Sequence, residues 1–378
     1  MKKLRRMVLW TILAVLVIIG VGLALFLNLA PQIGGTASGD RLARMENSPQ
    51  FDGGIFVNPV ETNMDMSAGN VAKMTWEFIR GVDHAEPEDT IRVQPFQADD
   101  FANTPEEEVA ITWFGHSSAI VRIEGKTLLI DPVFSERASL FSFMGPKRFI
   151  YSKHMSVDQL PDVDAVLISH DHYDHLDYET MLKLKEKVNQ FYVPLGVGAH
   201  LESWGIPSNQ IQELDWWQES EWSDSLKLVC TPARHFSGRA LTDRFKTLWC
   251  SWVIQGKNKR VYFSGDSGYT PQFKEIGDKY GPFDLCMMEC GQYDEKWSNI
   301  HMMPEETVQA HLDLQGKYLV PIHWGKFNLA LHSWKDPVQR MTAKAKEKGV
   351  YYLIPEVGHT FTLNTAEGAG SNWWQEVE

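Results

Sequence analysis

Cysteine is scarce in this chain, with four residues among 378 and no Cys-x-x-Cys pair among them. This scarcity argues against a disulfide-rich scaffold, a dithiol redox motif and a closed cysteine-ligated zinc site. The four cysteines, Cys230, Cys250, Cys286 and Cys290, are expected to fill core space. A disulfide between Cys286 and Cys290 would need a helical turn, whereas residues 283–288 have the apolar pattern of a buried strand.

Basic residues are also fewer than acidic ones, since the chain has 36 Lys and Arg residues and 49 Asp and Glu residues, which gives a net charge of −13. Such a body repels phosphate backbones, so we expect no nucleic-acid partner, and nuclease activity is disfavoured. The sequence shows no internal repeat and no low-complexity block. It also leaves no room for the flavin domain that an electron-transfer di-iron protein would bring.

A long uncharged segment, residues 7–30, is sufficient to cross a hydrocarbon core of ~30 Å as a helix. Four basic residues precede it: Lys2, Lys3, Arg5 and Arg6. Its length and the lack of a small-x-small site before Pro31 favour an uncleaved signal anchor over a cleaved signal peptide. The positive-inside rule keeps the basic flank cytoplasmic. We therefore expect a single-pass protein of a bacterial inner membrane, with the bilayer as a partner and the rest of the chain on the periplasmic side.

The pattern of apolar residues divides the rest of the chain in two. Residues 31–100 have mixed polarity and no sustained period, which predicts a linker and an irregular extension after the anchor at residues 1–30. From Val109 onward, short apolar runs with period two alternate with helix-like segments, and residues 101–378 are expected to form one domain. Early hairpins followed by strand–helix alternation predict an α/β fold with two sheets and helices outside them.

Three imidazoles and an accessible carboxylate occur together in the sequence HDHYDH at residues 170–175, directly after a strand expected at residues 164–169. A strand end gives ligands rigid support, and this set of N and O donors suits zinc as well as iron or manganese. Three further candidates each follow another apolar run: His235, Asp266 and His323. Because each strand would deliver one ligand to the same edge, this order predicts a metal site.

The ordered motifs HxHxDH, His, Asp and His resemble those of the metallo-β-lactamase superfamily. The resemblance implies a four-layer αββα sandwich with two divalent metal ions, Zn²⁺ being expected and iron or manganese the alternatives. It implies three sets of ligands: His170, His172 and His235 on one metal, Asp174, His175 and His323 on the other, and Asp266 as the bridge. Seven protein ligands on two metals leave open coordination positions, as catalysis requires.

Further segments resemble the N-acylphosphatidylethanolamine-hydrolysing phospholipase D family and its bacterial relatives, with a similarity that spans residues 48–363. They are SPQF at 48–51, TWFGHSS at 112–118, LIDPVF at 129–134, GPKR at 145–148 and IHWG at 322–325. This resemblance implies that Tyr173 and His301 line the substrate side, that Asp174 and His301 act in catalysis, and that Asp131 supports the metals from behind their ligands. For His116, a buried hydrogen-bonding role and a functional role stay open.

The function implied is hydrolysis of a phospholipid phosphodiester. A water molecule bound between two metal ions loses its proton near neutral pH and can attack phosphorus, so no serine nucleophile is needed. The nearest alternative is another hydrolase on this scaffold, acting on a lactone, a β-lactam or a different ester, although the bridging Asp266 disfavours β-lactam opening. The alternative of another class is a non-catalytic, membrane-tethered metal-binding protein.

Overall fold

The computed structural model describes residues 2–63, 67–223, 225–366 and 370–378. Within these residues the helices are α1 (Lys2–Leu29), α2 (Gly39–Glu46), α3 (Ala68–Arg80), α4 (Ala98–Ala102), α5 (Tyr178–Leu184), α6 (Gly198–Ser203), α7 (Gln272–Tyr280), α8 (Pro304–Asp313), α9 (Asp336–Lys348) and α10 (Trp373–Glu376). The strands are β1 (Phe51–Asp52), β2 (Ile55–Phe56), β3 (Ala110–Trp113), β4 (Ala119–Ile123), β5 (Lys126–Ile130), β6 (Val163–Leu167), β7 (Val188–Pro194), β8 (Ile211–Leu214), β9 (Glu219–Ser223), β10 (Leu226–Thr231), β11 (Ser251–Gly256), β12 (Arg260–Phe263), β13 (Phe283–Glu289), β14 (Gly316–Ile322), β15 (Tyr351–Tyr352) and β16 (Thr360–Thr362).

Two seven-stranded mixed sheets form the body of the protein. Their strand orders are β16-β3-β4-β5-β6-β7-β8 and β15-β14-β13-β12-β11-β10-β9. In the first sheet β3, β4 and β5 pair antiparallel, and β5 to β8 pair parallel. In the second sheet β9 to β12 pair antiparallel, and β12 to β15 pair parallel. The predicted arrangement of two sheets flanked by helices is therefore confirmed.

The sheets face each other across one hydrophobic core and carry helices on their outer faces. Leu128 of β5 and Leu228 of β10 belong to the cluster that joins the two sheets. On the outer face of the first sheet, Val166 of β6 packs in a cluster with Met181 of α5 and Leu201 of α6. Helix α8 contacts β13 and β14 of the second sheet, and α7 and α9 pack beside it. Strands buried on both faces explain the continuous apolar runs in the sequence.

The predicted metal ligands follow the carboxyl ends of strands from both sheets. The strand preceding each ligand is β6 for residues 170–175, β10 for His235, β12 for Asp266 and β14 for His323. Backbone hydrogen bonds join the sheets at this edge, because the His116 amide donates to the Trp324 carbonyl and the His323 amide donates to the His116 carbonyl, each at 2.9 Å. Strand pairing within each sheet and packing between the two sheets thus bring distant parts of the chain to one place.

The segment expected to be a linker and an irregular extension, residues 31–100, contains α2, the β1–β2 hairpin, α3 and α4. Helix α2 is held to the body by Arg41, whose Nε donates to the buried Glu213 carboxylate at 3.0 Å. Helix α3 leaves Trp76 and Ile79 60% and 71% exposed. These elements are short and pack through few side chains, so they leave no sustained apolar period in the sequence.

Helix α1 contains a stretch, Lys2–Gly22, that is long and apolar enough to cross a membrane, and none of its most apolar window is buried against the rest of the chain. This makes it a candidate membrane span. A signal sequence near the N-terminus would meet the same criteria.

All four cysteines are buried and free. Cys286 lies in β13 (Phe283–Glu289), which forms the strand predicted for this segment, and Cys290 directly follows it. The extended backbone therefore excludes the helical turn that a disulfide between Cys286 and Cys290 would need.

Candidate metal centre

Three imidazole nitrogens converge at the end of β6 and in the loop after β10. His170 Nε2 lies 2.9 Å from His172 Nδ1, and His235 Nε2 lies 3.2 Å from the same His172 atom. The ligand atoms of these three residues and of Asp266 all lie within 4.8 Å of one another. Donors of a tetrahedral zinc ion at ~2.0 Å are separated by roughly 3.3 Å. The nitrogens therefore have the spacing that one ion requires.

A second group lies beside the first and consists of His116, Asp174, His175 and His323. Oδ2 of Asp174 is 2.8 Å from His116 Nε2, 3.5 Å from His175 Nε2 and 3.6 Å from His323 Nε2. The three histidines are buried, whereas the Asp174 side chain is 14% exposed. Asp174 is thus the most exposed member of this group.

The Asp266 carboxylate lies between the two groups. Its Oδ1 is 3.1 Å from His175 Nε2 and in short contact with His323 Nδ1, while its Oδ2 is 3.8 Å from His170 Nε2. Gly265 permits this approach, because it has a φ of +56° and a Cβ there would lie 2.8 Å from the Ser169 Cβ. One carboxylate therefore faces both groups of imidazoles.

The pKa values of these side chains are shifted in both directions. Burial lowers the pKa of His175, but attraction to Asp266 and Asp174 outweighs it and raises the value well above normal, so a metal ion would have to replace the proton of this ring. Burial lowers the pKa of His170, His172 and His235, so their imidazoles are neutral and carry lone pairs near neutral pH. Burial raises the pKa of Asp174 and Asp266, but attraction to His175 outweighs it and leaves both values well below normal. Burial of carboxylates and of imidazole lone pairs lowers the stability of the folded state unless a cation or a hydrogen-bond donor lies against them. The two groups are suited to binding metal ions.

Asp131, predicted to support the metals from behind their ligands, is fully buried at the end of β5. Its Oδ2 accepts hydrogen bonds from His175 Nδ1 at 2.7 Å and from the Ser169 hydroxyl at 2.5 Å. Because Nδ1 of His175 is engaged in this way, its Nε2 is left to face Asp174 and Asp266. Asp131 also has a φ of +40°, a strained backbone conformation of the kind that collects at functional sites.

The loop that carries the HDHYDH motif is held from its interior by Asp171. Oδ1 of this buried side chain accepts a hydrogen bond from the Gly238 amide at 2.7 Å. Its Oδ2 accepts one from the Thr247 hydroxyl at 2.8 Å and lies 3.3 Å from His200 Nε2. These bonds fix the backbone between His170 and His172, and so they orient two imidazoles without contacting a ligand group themselves.

A cavity of about 400 Å³ opens beside both groups. Its apolar wall consists of Met74 and Phe78 from α3 together with Phe236, Trp297, Ile300 and Leu329. Its polar lining includes His172, Asp174, Asp266, His301 and His323, with Arg244, Gln292 and Lys296 also present. A molecule in this cavity would contact apolar side chains and the candidate metal ligands at the same time.

His301, predicted on the substrate side, lies in the wall of this cavity. Its Nδ1 is 2.5 Å from Oε1 of Glu289, whose Oε2 accepts a hydrogen bond from the Ser267 amide at 2.8 Å. Burial lowers the pKa of His301, but the attraction of Glu289 outweighs it and raises the value above normal. The ring is thereby oriented through Nδ1, and its Nε2 remains for a second partner.

Tyr173 is placed differently from the other predicted site residues. Its hydroxyl donates to the Arg239 carbonyl at 2.7 Å, and the Arg239 guanidinium lies 4.1 Å from the centre of its ring. Among the described residues Tyr173 does not line the 400 Å³ cavity. The structure therefore brings together the seven predicted ligands, Asp131 and His301, but it holds Tyr173 against Arg239.

Three residues of the centre were not predicted as site residues: His116, Asp171 and Glu289. Glu289 is the last residue of β13 and is fully buried. A carboxylate at the end of an apolar run is the pattern from which this residue could have been predicted. His116 lies in the turn that follows β3 and has a φ of +54°. The role of Asp171 depends on a loop 67 residues away in sequence, which no local pattern reveals.

Comparison with known proteins agrees with this geometry. The family model described as Beta-lactamase superfamily domain matches residues 126–324. An uncharacterized protein of Mycobacterium tuberculosis is 44% identical over 318 residues, which cover 83% of this chain and 84% of that protein. The N-acyl-phosphatidylethanolamine-hydrolyzing phospholipase D 1 of Caenorhabditis elegans is 37% identical over 336 residues, which cover 82% of this chain and 93% of that protein.

Among solved structures, Igni18, a metallo hydrolase of Ignicoccus hospitalis, superposes with a TM-score of 0.54 at 21% identity. The match covers 68% of this chain and 98% of Igni18. At this identity the likeness concerns the fold of the two-sheet body.

Substitution of Asp266 by asparagine should release metal and abolish most turnover, because the neutral amide cannot compensate cations in both groups. Elemental analysis and activity measured on the same purified sample would test this. Asp158→Asn is a matched control, since this side chain is 81% exposed and lies at the surface. Full metal occupancy with full activity in Asp266→Asn would contradict the bridging position.

Replacement of Asp131 by asparagine should weaken metal binding by roughly 10–100-fold without unfolding the protein, because an amide of the same shape disturbs the orientation of His175 and the hydrogen bonds from Ser169 but leaves the core packing unchanged. Competition with a chelator measures this affinity, and circular dichroism checks the fold. The same Asp158→Asn variant serves as the control. An unchanged affinity would show that His175 is held in place without the carboxylate.

Proposed function

Because this chain belongs to the metallo-β-lactamase superfamily, we propose that it is a membrane-anchored, dinuclear metal-dependent hydrolase of phospholipid phosphodiesters of the N-acylphosphatidylethanolamine type. Residues 1–30 would form the cytoplasmic flank and anchor, residues 31–100 a linker and extension, and residues 101–378 the catalytic domain. A bacterial inner membrane, with the catalytic domain on the periplasmic side, is the proposed location.

The observation that carries the proposal is the composition of the cavity. Six apolar side chains, among them Phe78 and Trp297, line the same cavity as several candidate metal ligands. The cationic Lys296 also belongs to the lining of this cavity. A phospholipid presents this combination of apolar chains and an anionic phosphate within one molecule. The 37% identical phospholipase D of Caenorhabditis elegans, whose match covers 82% of this chain, supports the same substrate class.

Two divalent cations would be held by the seven predicted ligands. His170, His172 and His235 would bind one, Asp174, His175 and His323 the other, and Asp266 would join them. Zn²⁺ suits these nitrogen and oxygen donors, as iron or manganese also would. When bound, such cations supply a Lewis acid that lowers the pKa of water and neutralises charge on a phosphate.

The side chains around the cations have separate tasks in this reaction. Water attacks phosphorus while the bond from phosphorus to the ethanolamine oxygen breaks, and this oxygen must gain a proton. His301 is in a position to hold that proton on Nε2, because Glu289 occupies its Nδ1 and favours the charged imidazolium. Asp174, the exposed carboxylate of the second group, would orient the water. Tyr173 remains a predicted substrate contact, which would require Arg239 to move.

The candidate span in α1 would add to catalysis by confining the cavity near a lipid surface. A tethered enzyme meets its substrate at an effective concentration set by the tether rather than by diffusion from solution. The acidic body gives no attraction to anionic polymers, so a polynucleotide substrate is disfavoured.

Replacement of His301 by alanine should lower kcat by roughly 10²–10⁴-fold, the usual contribution of a proton-transferring side chain, and leave bound metal unchanged. His323→Ala should instead release metal, and His154→Ala, a residue that does not line the cavity, should change neither quantity. Steady-state kinetics and elemental analysis of the three variants separate these outcomes. If His301→Ala loses metal as readily as His323→Ala, the separate role of His301 is wrong.

The substrate class should be tested with the purified full-length protein and its own metal. We expect cleavage of N-acylphosphatidylethanolamine vesicles to a phosphatidic acid and an N-acylethanolamine, with a higher kcat/KM than for a lactone, a β-lactam or a carboxylic ester. Asp266→Asn is the inactive control. Faster lactone or ester hydrolysis would shift the assignment to the nearest alternative, and full metal content without turnover of any of these compounds would favour a non-catalytic metal-binding protein.

A further inference from the structure

An exposed apolar loop projects beside α1. Phe143 and Met144, in the apolar loop formed by residues 139–145, are 75% and 54% exposed. The loop is closed at its base, where the Ala138 amide donates to the Pro146 carbonyl at 3.1 Å. Because the base is closed, the tip is held outward and presents its apolar side chains to the surroundings. Large exposed apolar side chains grouped in this way mark a contact surface.

A row of aromatic rings connects the apolar loop to α1. The rings of Phe26 and Phe141 stack with centroids 5.1 Å apart and an interplanar angle of 11°. The Phe141 ring lies 5.4 Å from that of Phe143. The row therefore leads from the last turns of α1 to the exposed tip of the loop.

The position of Phe26 along α1 sets the depth of this row. The uncharged segment of α1 begins at Met7, and Phe26 lies 19 residues further along the same helix. At 1.5 Å per residue this is about 28 Å, close to the ~30 Å thickness of a hydrocarbon core. That depth corresponds to the interface between hydrocarbon and water, where aromatic side chains are enriched in membrane proteins.

The charges next to the apolar loop are mainly positive, although the chain as a whole is acidic. Arg137, Lys147 and Arg148 flank the loop, against a single acidic residue, Glu136, in a chain with a net charge of −13. Glu136 forms an ion pair with Lys147 at 2.8 Å. The remaining charges beside the loop, those of Arg137 and Arg148, are positive. Basic residues beside an apolar tip are attracted to the headgroups of anionic lipids.

We propose that the apolar loop docks into the interface of the membrane leaflet from which α1 emerges. Phe143 and Met144 contact acyl chains there, while Arg137 and Arg148 face anionic headgroups. The inference rests on the proposed membrane anchoring by α1. A lipid surface is the occupant that fits, because the stacked rings of Phe26 and Phe141 continue the surface that α1 presents to the bilayer.

The test uses the full-length protein in nanodiscs that contain anionic lipid. The four native cysteines are buried, so a thiol-reactive, environment-sensitive fluorophore will label an introduced cysteine selectively. Three single variants are compared: Phe143→Cys at the tip, Val15→Cys within the candidate span, and Tyr351→Cys as a matched control. Tyr351 is an exposed aromatic residue on β15 with 69% exposure, close to that of Phe143. Quenchers carried on lipids and iodide in water report the surroundings of each label.

We expect lipid-borne quenchers to reduce the emission at positions 143 and 15 several-fold more than at position 351, and iodide to act mainly at position 351. Quenching at position 15 without quenching at position 143 would overturn the docking and leave the anchoring intact. Absence of lipid quenching at both positions would overturn the anchoring and the docking together. Protection of position 143 from iodide without lipid quenching would identify a protein occupant, such as a second copy of this chain, and would also overturn the proposal.

Discussion

The convergence of strand ends at the junction of the two sheets sets the position of every polar group in the candidate metal centre. Loops after β3, β5, β6, β10, β12 and β14 all meet there. Reciprocal backbone hydrogen bonds between the loops of His116 and His323 join the sheets at this point, and the Cys250 amide donates to the Ser169 carbonyl at 2.9 Å. Because hydrophobic packing between the sheets fixes these ends, the core determines the spacing of the ligands.

This convergence has an electrostatic consequence. It places several imidazoles and the carboxylates of Asp174 and Asp266 in a region with little access to water. Unpaired charges in such a region oppose folding, and only cations or well-placed donors offset that cost. The free energy of binding a metal ion here would therefore also stabilise the folded state in this part of the chain. Glu289 and Asp171 have protein partners for their carboxylates, which explains why they lie in the same neighbourhood without belonging to the ligand groups.

Much of this arrangement could be predicted from the sequence, for reasons that are local. Apolar runs that end in His or Asp identify both a buried strand and the polar residue at its end, as with Val163–Leu167 and the HDHYDH motif. Early hairpins followed by strand–helix alternation predicted two sheets with helices outside them, and the resemblance carried by the ordered motifs implied the four-layer sandwich. Residues whose roles depend on contacts made far away in sequence could not be found in this way. Arg239 holds Tyr173, and Glu289 orients His301, only because the tertiary fold brings them together.

The apolar loop shows how a surface feature and the candidate site are physically connected. Val133 and Ala138, which precede the loop, pack in one small cluster with Phe327, and Leu329 lies against that cluster. Leu329 is also part of the cavity wall beside His301 and His323. The base of the apolar loop and the wall of the cavity therefore share one set of packed apolar side chains. The same segment contains GPKR, whose resemblance to phospholipase sequences gave no indication of what it contacts. In the structure these residues close the base of the apolar loop, where the Pro146 carbonyl accepts a hydrogen bond from the Ala138 amide and the Arg148 amide donates to the Glu136 carbonyl.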